Sequence, residues 1–459
     1  MKEFDPQTFI SELVKIPSIS ANSNRTADVR RCAEFLTREL SALGFESELV
    51  KTPLHPIVFA RRACAAQTPK FKILCYGHYD VQPPEPLEKW HTDPFEPVVK
   101  DGRIWGRGTA DNKGPFTCMF AGVVDFLRKN PDAPVEFGIM LEGEEEIGSP
   151  SMTKFIRENA DLISSYDFIM LSDTSSPSPE QIVITTGLRG TGSIDAVFRG
   201  AKTDVHSGMF GGMIYNPVQA MCEVCASLHT PDGFVNIEHF YDGIAEIEDW
   251  EKSEIAKSPF GDAAVKKLLG VPELYKQGDI PASIAGRVLP TLEFTGIGGG
   301  YQGEGSKSVI AAECFCKISV RTVPPQHTRD MLELVKRAIV ERTPEQIKVD
   351  FVEYDADGDG YFVNPKHFEP TERGRKLARA FAAVDRCVQS AFGNKPLFLR
   401  EGASIPLIAD IKKYTGLDCI MLGLFNPEDN LHAPDESFRL STIEKASRYY
   451  REFLEDIIK

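Results

Sequence analysis

The sequence contains no run of about 20 apolar residues, the length that a helix needs to span a bilayer. Its start, MKEFDPQTFISELVKIPSIS, lacks the basic flank and apolar core of a secretory signal, so a cytoplasmic protein without a membrane partner is the expectation. Positive charge is also in deficit. Lys and Arg total 52 against 67 Asp and Glu, a formal charge of −15 that opposes sequence-independent attraction to nucleic acid or anionic lipid. Paired cysteine motifs are nearly missing: of ten cysteines only Cys222 and Cys225 stand at C-x-x-C spacing, in a helix-like stretch with no second pair. The cysteines therefore read as reduced core thiols. No tandem repeat or low-complexity tract is present. What remains is an ordinary globular composition, 42% hydrophobic and 26% charged, over 459 residues, enough for two or three domains.

Asp5 as N-cap and Pro6 at the first helical position open a helix carrying Phe9, Ile10, Leu13 and Val14. Val29, Cys32, Ala33, Leu36, Leu40 and Leu43 form the apolar face of a second helix, which Gly44 ends. Apolar runs of strand length follow at Phe71 to Tyr76, Val135 to Leu141 and Phe168 to Leu171, with a helical stretch around Phe116 to Leu127 between the first two. Strands alternating with helices predict an α/β sheet. Past Gly187 the texture changes to strand (Gly192 to Phe198), helix (Asn216 and Pro217 through Leu228), strand (Cys314 to Arg321) and helix (His327 to Val340), a β-α-β-β-α-β pattern. Within it, Asp242 to Gly286 is charged and poorly periodic, as an insertion would be. A helix through Leu377, Phe381 and Val388 and a strand at Cys419 to Leu424 then restore the first texture. The expected organisation is a first domain in two parts, 1–188 and 363–459, interrupted by an inserted domain over 189–362.

Ligands of open α/β sheets gather at the carboxyl ends of strands. Here those ends carry His78-Tyr79-Asp80, then, beyond a loop, Gly106 to Gly114 with Asp111, then Glu142 to Glu146, then Ser172-Asp173, and late in the chain Asn430-Leu431-His432. Each fragment alone is weak, since a strand-end His or Asp is more often a hydrogen-bonded cap and adjacent acids more often a solvated surface. Together they supply two imidazoles and several carboxylates, the donors that a borderline divalent cation prefers. Residues two apart on a strand share a face, so Asp80 is placed to orient the His78 ring.

In the order GHYDVQP, GRGTADNKG, EGEEEIGS, LSDT, GLRG, DVHSGMFGG and LREGASIP, followed by His432, the chain resembles the dinuclear zinc metallopeptidase family that includes carnosinase, cytosolic nonspecific dipeptidase, carboxypeptidase G and aminoacylase. The resemblance spans nearly the whole chain and is greatest to the carnosinase and nonspecific dipeptidase branch. It implies an α/β catalytic domain, a central mixed sheet flanked by helices, with an inserted ferredoxin-like α+β domain serving as lid and dimerisation surface. It implies two divalent ions per subunit, zinc first and manganese or cobalt as alternatives: His78 and Asp173 on one, Glu146 and His432 on the other, Asp111 bridging both, and Glu145 as general base. A divalent cation lowers the pKa of a coordinated water to about 7, and a carboxylate held off the metals can take that water's proton and return it to the leaving amine.

The same resemblance puts His206 across a homodimer interface, acting in trans on the oxyanion. It also makes Arg321 the group that binds a dipeptide's terminal carboxylate, a task suited to a guanidinium fork. Ser308, Arg400, Glu401, Gly402 and Ser404 complete the implied substrate contacts, the last four on the catalytic side. Val309-Ile310-Ala311 departs from the Val-Ile-Pro run usual in that branch. Asp173 at the terminal-ligand position tilts the implied activity toward dipeptides or very short peptides. N-acyl or N-carbamoyl amino acids remain the alternative substrates, and a noncatalytic metal- or peptide-binding protein is the reading from another class. Two other motifs are declined. Asp355 to Gly360 starts like a calcium loop but places Lys366 at its twelfth position, and the glycine-rich Gly298 to Ser308 has Ser306 before Lys307 where a phosphate loop needs glycine.

Overall fold

The computed structural model describes residues 4–64, 66 and 68–459. The side chains of 355–357, part of the calcium-like run declined above, lie outside the described residues. Strands in chain order are β1 (Glu46–Val50), β2 (Ile57–Arg62), β3 (Phe71–His78), β4 (Val98–Lys100), β5 (Arg103–Trp105), β6 (Val135–Glu142), β7 (Phe168–Ser175), β8 (Val183–Leu188) and β9 (Gly190–Arg199). They continue as β10 (Val205–His206), β11 (Thr291–Gly299), β12 (Val309–Ile310), β13 (Glu313–Thr322), β14 (Lys348–Gly358), β15 (Tyr361–Phe362), β16 (Leu397–Arg400), β17 (Cys419–Phe425) and β18 (Ser437–Arg439).

The chain divides into two compact units, one comprising residues 1–186, 363–399 and 410–459, the other 187–362 and 400–409. In the first unit the large sheet runs β1-β2-β6-β3-β7-β17-β8. It is mixed: β3 pairs parallel with β6 and β7, and β17 parallel with β7, while β2 joins β6 and β8 joins β17 antiparallel. The parallel strands are apolar and buried along nearly their whole length, as strands covered on both faces must be. Helix Lys113–Lys129 packs on the C-terminal helix Leu440–Ile458, where a Cβ on Gly122 would lie 2.3 Å from that of Tyr450, so only glycine permits the approach. The opening helix, Pro6–Val14, is capped by the Asp5 carboxylate, which accepts from the amides of Gln7 and Thr8. The first-unit strands β4, β5 and β18 form a small separate sheet in the order β18-β5-β4.

The second unit is built on a four-stranded antiparallel sheet in the order β11-β13-β9-β14. Helices Pro217–Ser227 and Thr328–Arg342 contribute Met221, Val224, Leu332, Val335 and Ile339 to a core with Ile194, Phe198, Ile318 and Val320. Chain order and sheet order together make the ferredoxin-like β-α-β-β-α-β arrangement. Residues 242–288 carry three further helices, Asp249–Lys257, Asp262–Leu269 and Ala282–Val288.

Candidate metal centre

The first unit brings five of the named side chains into two overlapping groups. His78, Asp111 and Asp173 form one, and Asp111, Glu146 and His432 the other, each with one ligand atom per residue and all such atoms within 4.8 Å of one another. Asp111 belongs to both because its two carboxylate oxygens diverge: Oδ1 lies 3.1 Å from His78 Nε2, and Oδ2 lies 2.9 Å from His432 Nε2. His78 Nε2 is also 3.6 Å from Asp173 Oδ1, and His432 Nε2 is 3.4 Å from Glu146 Oε2.

Strand termini deliver these groups. The parallel register sets His78 opposite Glu142, so β3 and β6 end together and their loops emerge side by side. Asp80, which lies just beyond the last residue of β3, works on both loops. Its backbone carbonyl is 3.1 Å and its carboxylate 3.4 Å from His78 Nδ1, while its two carboxylate oxygens accept the amides of Glu145 and Glu146. The ring contact expected of Asp80 is made through a turn after the strand instead of along one strand face.

The three consecutive glutamates have three environments. Glu144 is buried and accepts the amides of His55 and Ser151. Glu146 turns to the metal-ligand group, where Gln82 Nε2 donates to its Oε2 at 2.8 Å. The Glu145 carboxylate accepts no hydrogen bond from the described residues, and it stands near enough to His78, Asp173 and Asp111 for their charges to act on it. Asn112, joined to Asp111 by a cis peptide bond, donates to the Ser172 carbonyl and to Asp173 Oδ1.

Crowded acids shift one another's titration. Desolvation, followed by the charge of Asp111, pushes Glu146 up to about 10. Desolvation raises Asp173 and, with the charges of Asp173, Asp111 and Asp80 outweighing that of His78, lifts Glu145 well above the usual carboxylate range. Asp111 moves the other way: burial disfavours its charge, but hydrogen bonds from His432 and His78 hold it below the ordinary range. Burial pulls His78 down, yet the charge of Asp173 and hydrogen bonds to Asp111, Asp173 and Asp80 leave it raised, and the hydrogen bond to Asp111 raises His432.

The donor set fits divalent cations. Two imidazoles and two carboxylates face inward around the Asp111 carboxylate shared by both groups, and Glu146 Oε1 is buried without a hydrogen-bond partner. In water-poor surroundings such a cluster carries unscreened like charge that a cation relieves.

In the second unit, Arg321 and Ser404 meet, with a guanidinium nitrogen 2.6 Å from the hydroxyl oxygen. Gly402 presents its carbonyl to Arg189 Nε at 2.8 Å, and Glu401 donates its amide to the Gly187 carbonyl. These contacts group 400–409 with the second unit, whereas the sequence reading places Arg400, Glu401, Gly402 and Ser404 on the catalytic side. Arg400 is 8% exposed, forms a two-pronged pair with Glu251 at 2.7 and 2.8 Å, and stacks on Phe362, so its fork is taken up inside that unit. His206 is exposed, its Nδ1 accepting the Gly208 amide at 3.0 Å, and Ser308 is an exposed neighbour whose carbonyl accepts the Ser207 amide. Sequence reasoning gave no individual role to Asn112, Gln82, Arg189 or Glu436. Asn112, Gln82 and Arg189 lie inside quoted motifs, while nothing in composition or spacing marks Glu436.

A family model described as peptidase family M20/M25/M40 matches residues 74–456. The chain belongs to that peptidase family. Among its relatives is the Cys-Gly metallodipeptidase dug1 of Schizosaccharomyces pombe, 28% identical over 466 residues that cover 98% of this chain and 95% of the relative. Another is the human Beta-Ala-His dipeptidase, 26% identical and covering 88% of this chain and 78% of the relative. Among solved structures, the M20 family metallo-carboxypeptidase Sso-CP2 of Sulfolobus solfataricus superposes with a TM-score of 0.85 at 25% identity, covering 99% of this chain and 100% of that one.

Proposed function

We propose that the chain is a two-metal dipeptidase that hydrolyses the amide bond of dipeptides or very short peptides. The observation that carries this reading is the divided carboxylate of Asp111, one oxygen toward each histidine, with the unengaged Glu145 beside it. His78 and Asp173 would hold one cation, Glu146 and His432 the second, and Asp111 both. Two imidazoles with carboxylates favour zinc, with manganese or cobalt as substitutes. Bound cations would polarise the scissile carbonyl and make water acidic enough to attack at neutral pH. Glu145 takes the proton of the attacking water and passes it to the leaving nitrogen, a shuttle suited to a carboxylate that no described donor engages. Asp80 keeps His78 oriented by its contact with Nδ1, leaving Nε2 as the ligand atom.

Arg321 would bind the substrate's terminal carboxylate with Ser404 steadying its guanidinium, and Ser308, Glu401 and Gly402 would line the same end of the substrate. His206 would act from a second copy of the chain. Its Nδ1 accepts a backbone amide, which leaves the proton on Nε2, where a neutral imidazole can donate to an oxyanion. Met209 and Met213, 67% and 73% exposed beside it, are apolar surface that a homodimer would cover. Cytoplasmic residence is supported by ten free thiols, and no described helix is long and apolar enough to cross a membrane. The fission-yeast and human relatives named above are a Cys-Gly metallodipeptidase and a Beta-Ala-His dipeptidase, which supports dipeptides as the substrate class.

The test is Glu145→Gln. Its metal content should equal that of the wild type while kcat on a dipeptide falls by about a hundred- to ten-thousandfold. Near-normal turnover with both ions present would remove Glu145 as the base.

A further inference from the structure

Glu436 has no exposed surface, yet it lies only four residues beyond His432 and its carboxylate faces the loop that carries Asp111. Each of its oxygens is used twice. Oε2 accepts the amide of Gly108 at 2.9 Å and Arg107 at 2.8 Å, and Oε1 accepts the amides of Ala110 at 2.8 Å and Asp111 at 3.0 Å. The main chain adds a fifth tie, the Gly106 amide donating to the Glu436 carbonyl at 2.9 Å.

The register of the small sheet explains how the two segments meet. β5 leads directly into the Gly106–Asp111 loop and β18 follows Glu436, and their antiparallel pairing sets Ser437 opposite Trp105. The loop then wraps the carboxylate, which requires Gly108 at φ +86°; a Cβ there would lie 2.6 Å from Val81 Cγ1. Arg107 supplies the countercharge, itself only 1% exposed and stacked over Trp90 at 5.4 Å. A buried carboxylate with four charge-assisted donors is a strong and directional anchor.

We infer that Glu436 is a positioning residue that locks the bridging carboxylate of Asp111 to the His432 loop, so that both ligand groups are set as one rigid body before any cation binds. This rests on the two-metal reading of the site. The carboxylate must be ionised and symmetric, because all four of its contacts are donors. Glutamine keeps the shape but turns an amide group toward two of those donors, and the Asp111 and His432 loops then lose their common anchor.

Two measurements test this. In metal-free wild type, the amides of Ala110 and Asp111 should exchange slowly with solvent, as they do when metal is present. Rapid exchange that slows only on metal addition would overturn the inference without any variant having to fold. In Glu436→Gln loaded with manganese, about a ten- to hundredfold weaker retention of metal is expected, together with loss of the spin-coupled signal of a bridged manganese pair in electron paramagnetic resonance. A variant that only weakened folding would keep the coupled signal in its folded fraction, so an unchanged signal and affinity would contradict the positioning role. If the wild type itself binds fewer than two coupled ions, the two-metal reading fails and the inference falls with it.

Discussion

Asp111 serves two histidines with one carboxylate, so its loss cannot be made good from either side. Asp111→Ala should lose metal together with activity, and retention of two ions, counted by elemental analysis, would contradict the bridging role. The same cluster predicts how metal binding responds to pH. His78 and His432 are raised by their acidic partners, and Glu146 is raised to about 10 by burial and by Asp111. A ligand has to shed its proton before it binds a cation, so a raised pKa moves metal uptake to higher pH. Metal affinity of the chelated protein should therefore climb with pH from above the ordinary histidine value of about 6.5 to the Glu146 value of about 10, with proton release visible by calorimetry in buffers of different ionisation enthalpy. A flat affinity over that window would contradict the assignment. Of the candidate ligands, His78, Glu146, Asp173 and His432 are legible in the sequence because each closes or follows a strand-length apolar run, whereas Asp111 follows only the three-residue β5. The division of roles among the glutamates is not: Glu144, Glu145 and Glu146 are identical in type and adjacent, and only the turn after β6 decides that one caps a backbone, one is left unengaged and one faces His432.

At the scale of elements, the apolar runs of β3, β6 and β7 and the helices beginning at Pro6, Pro217 and Thr328 are readable from periodicity and caps. β1 is not, since Glu46, Ser47 and Glu48 give it an edge strand's polar face, and β4, β5 and β18 are three residues each, too short for any pattern. That small sheet nevertheless positions Glu436, so the least legible elements hold the Asp111 loop. Paired strand ends also bury Glu142, which accepts from the Tyr76 hydroxyl at 2.7 Å and the Ser149 hydroxyl at 2.9 Å while desolvation lifts its pKa to about 8. A carboxyl whose folded pKa exceeds its unfolded value stabilises fully below the unfolded pKa of about 4.5 and loses that contribution as pH rises through about 8. Chelated protein should lose denaturant stability across this interval, and Glu142→Gln should flatten the slope. An unchanged slope in the variant would assign the pH dependence to other groups.

For the whole molecule, the decisive arrangement is whether a second chain completes each site. Glu145→Gln and His206→Ala should each be nearly inactive alone. Mixed at equal amounts and allowed to exchange subunits, they should recover about a quarter of wild-type activity, because half the dimers are mixed and each mixed dimer holds one intact site. No recovery, with exchange shown by mass spectrometry, would place His206 in the site of its own chain or outside catalysis. The family and the two candidate ligand groups of the first unit both bear on a single claim, metal-dependent cleavage of a dipeptide amide. That claim is tested most directly by following a panel of unmodified dipeptides and N-acyl amino acids with purified protein, after chelation and after zinc or manganese is restored. Dipeptide cleavage should vanish on chelation and return with metal. Metal-restored cleavage of the N-acyl amino acids alone, or dipeptide cleavage indifferent to chelation, would contradict it.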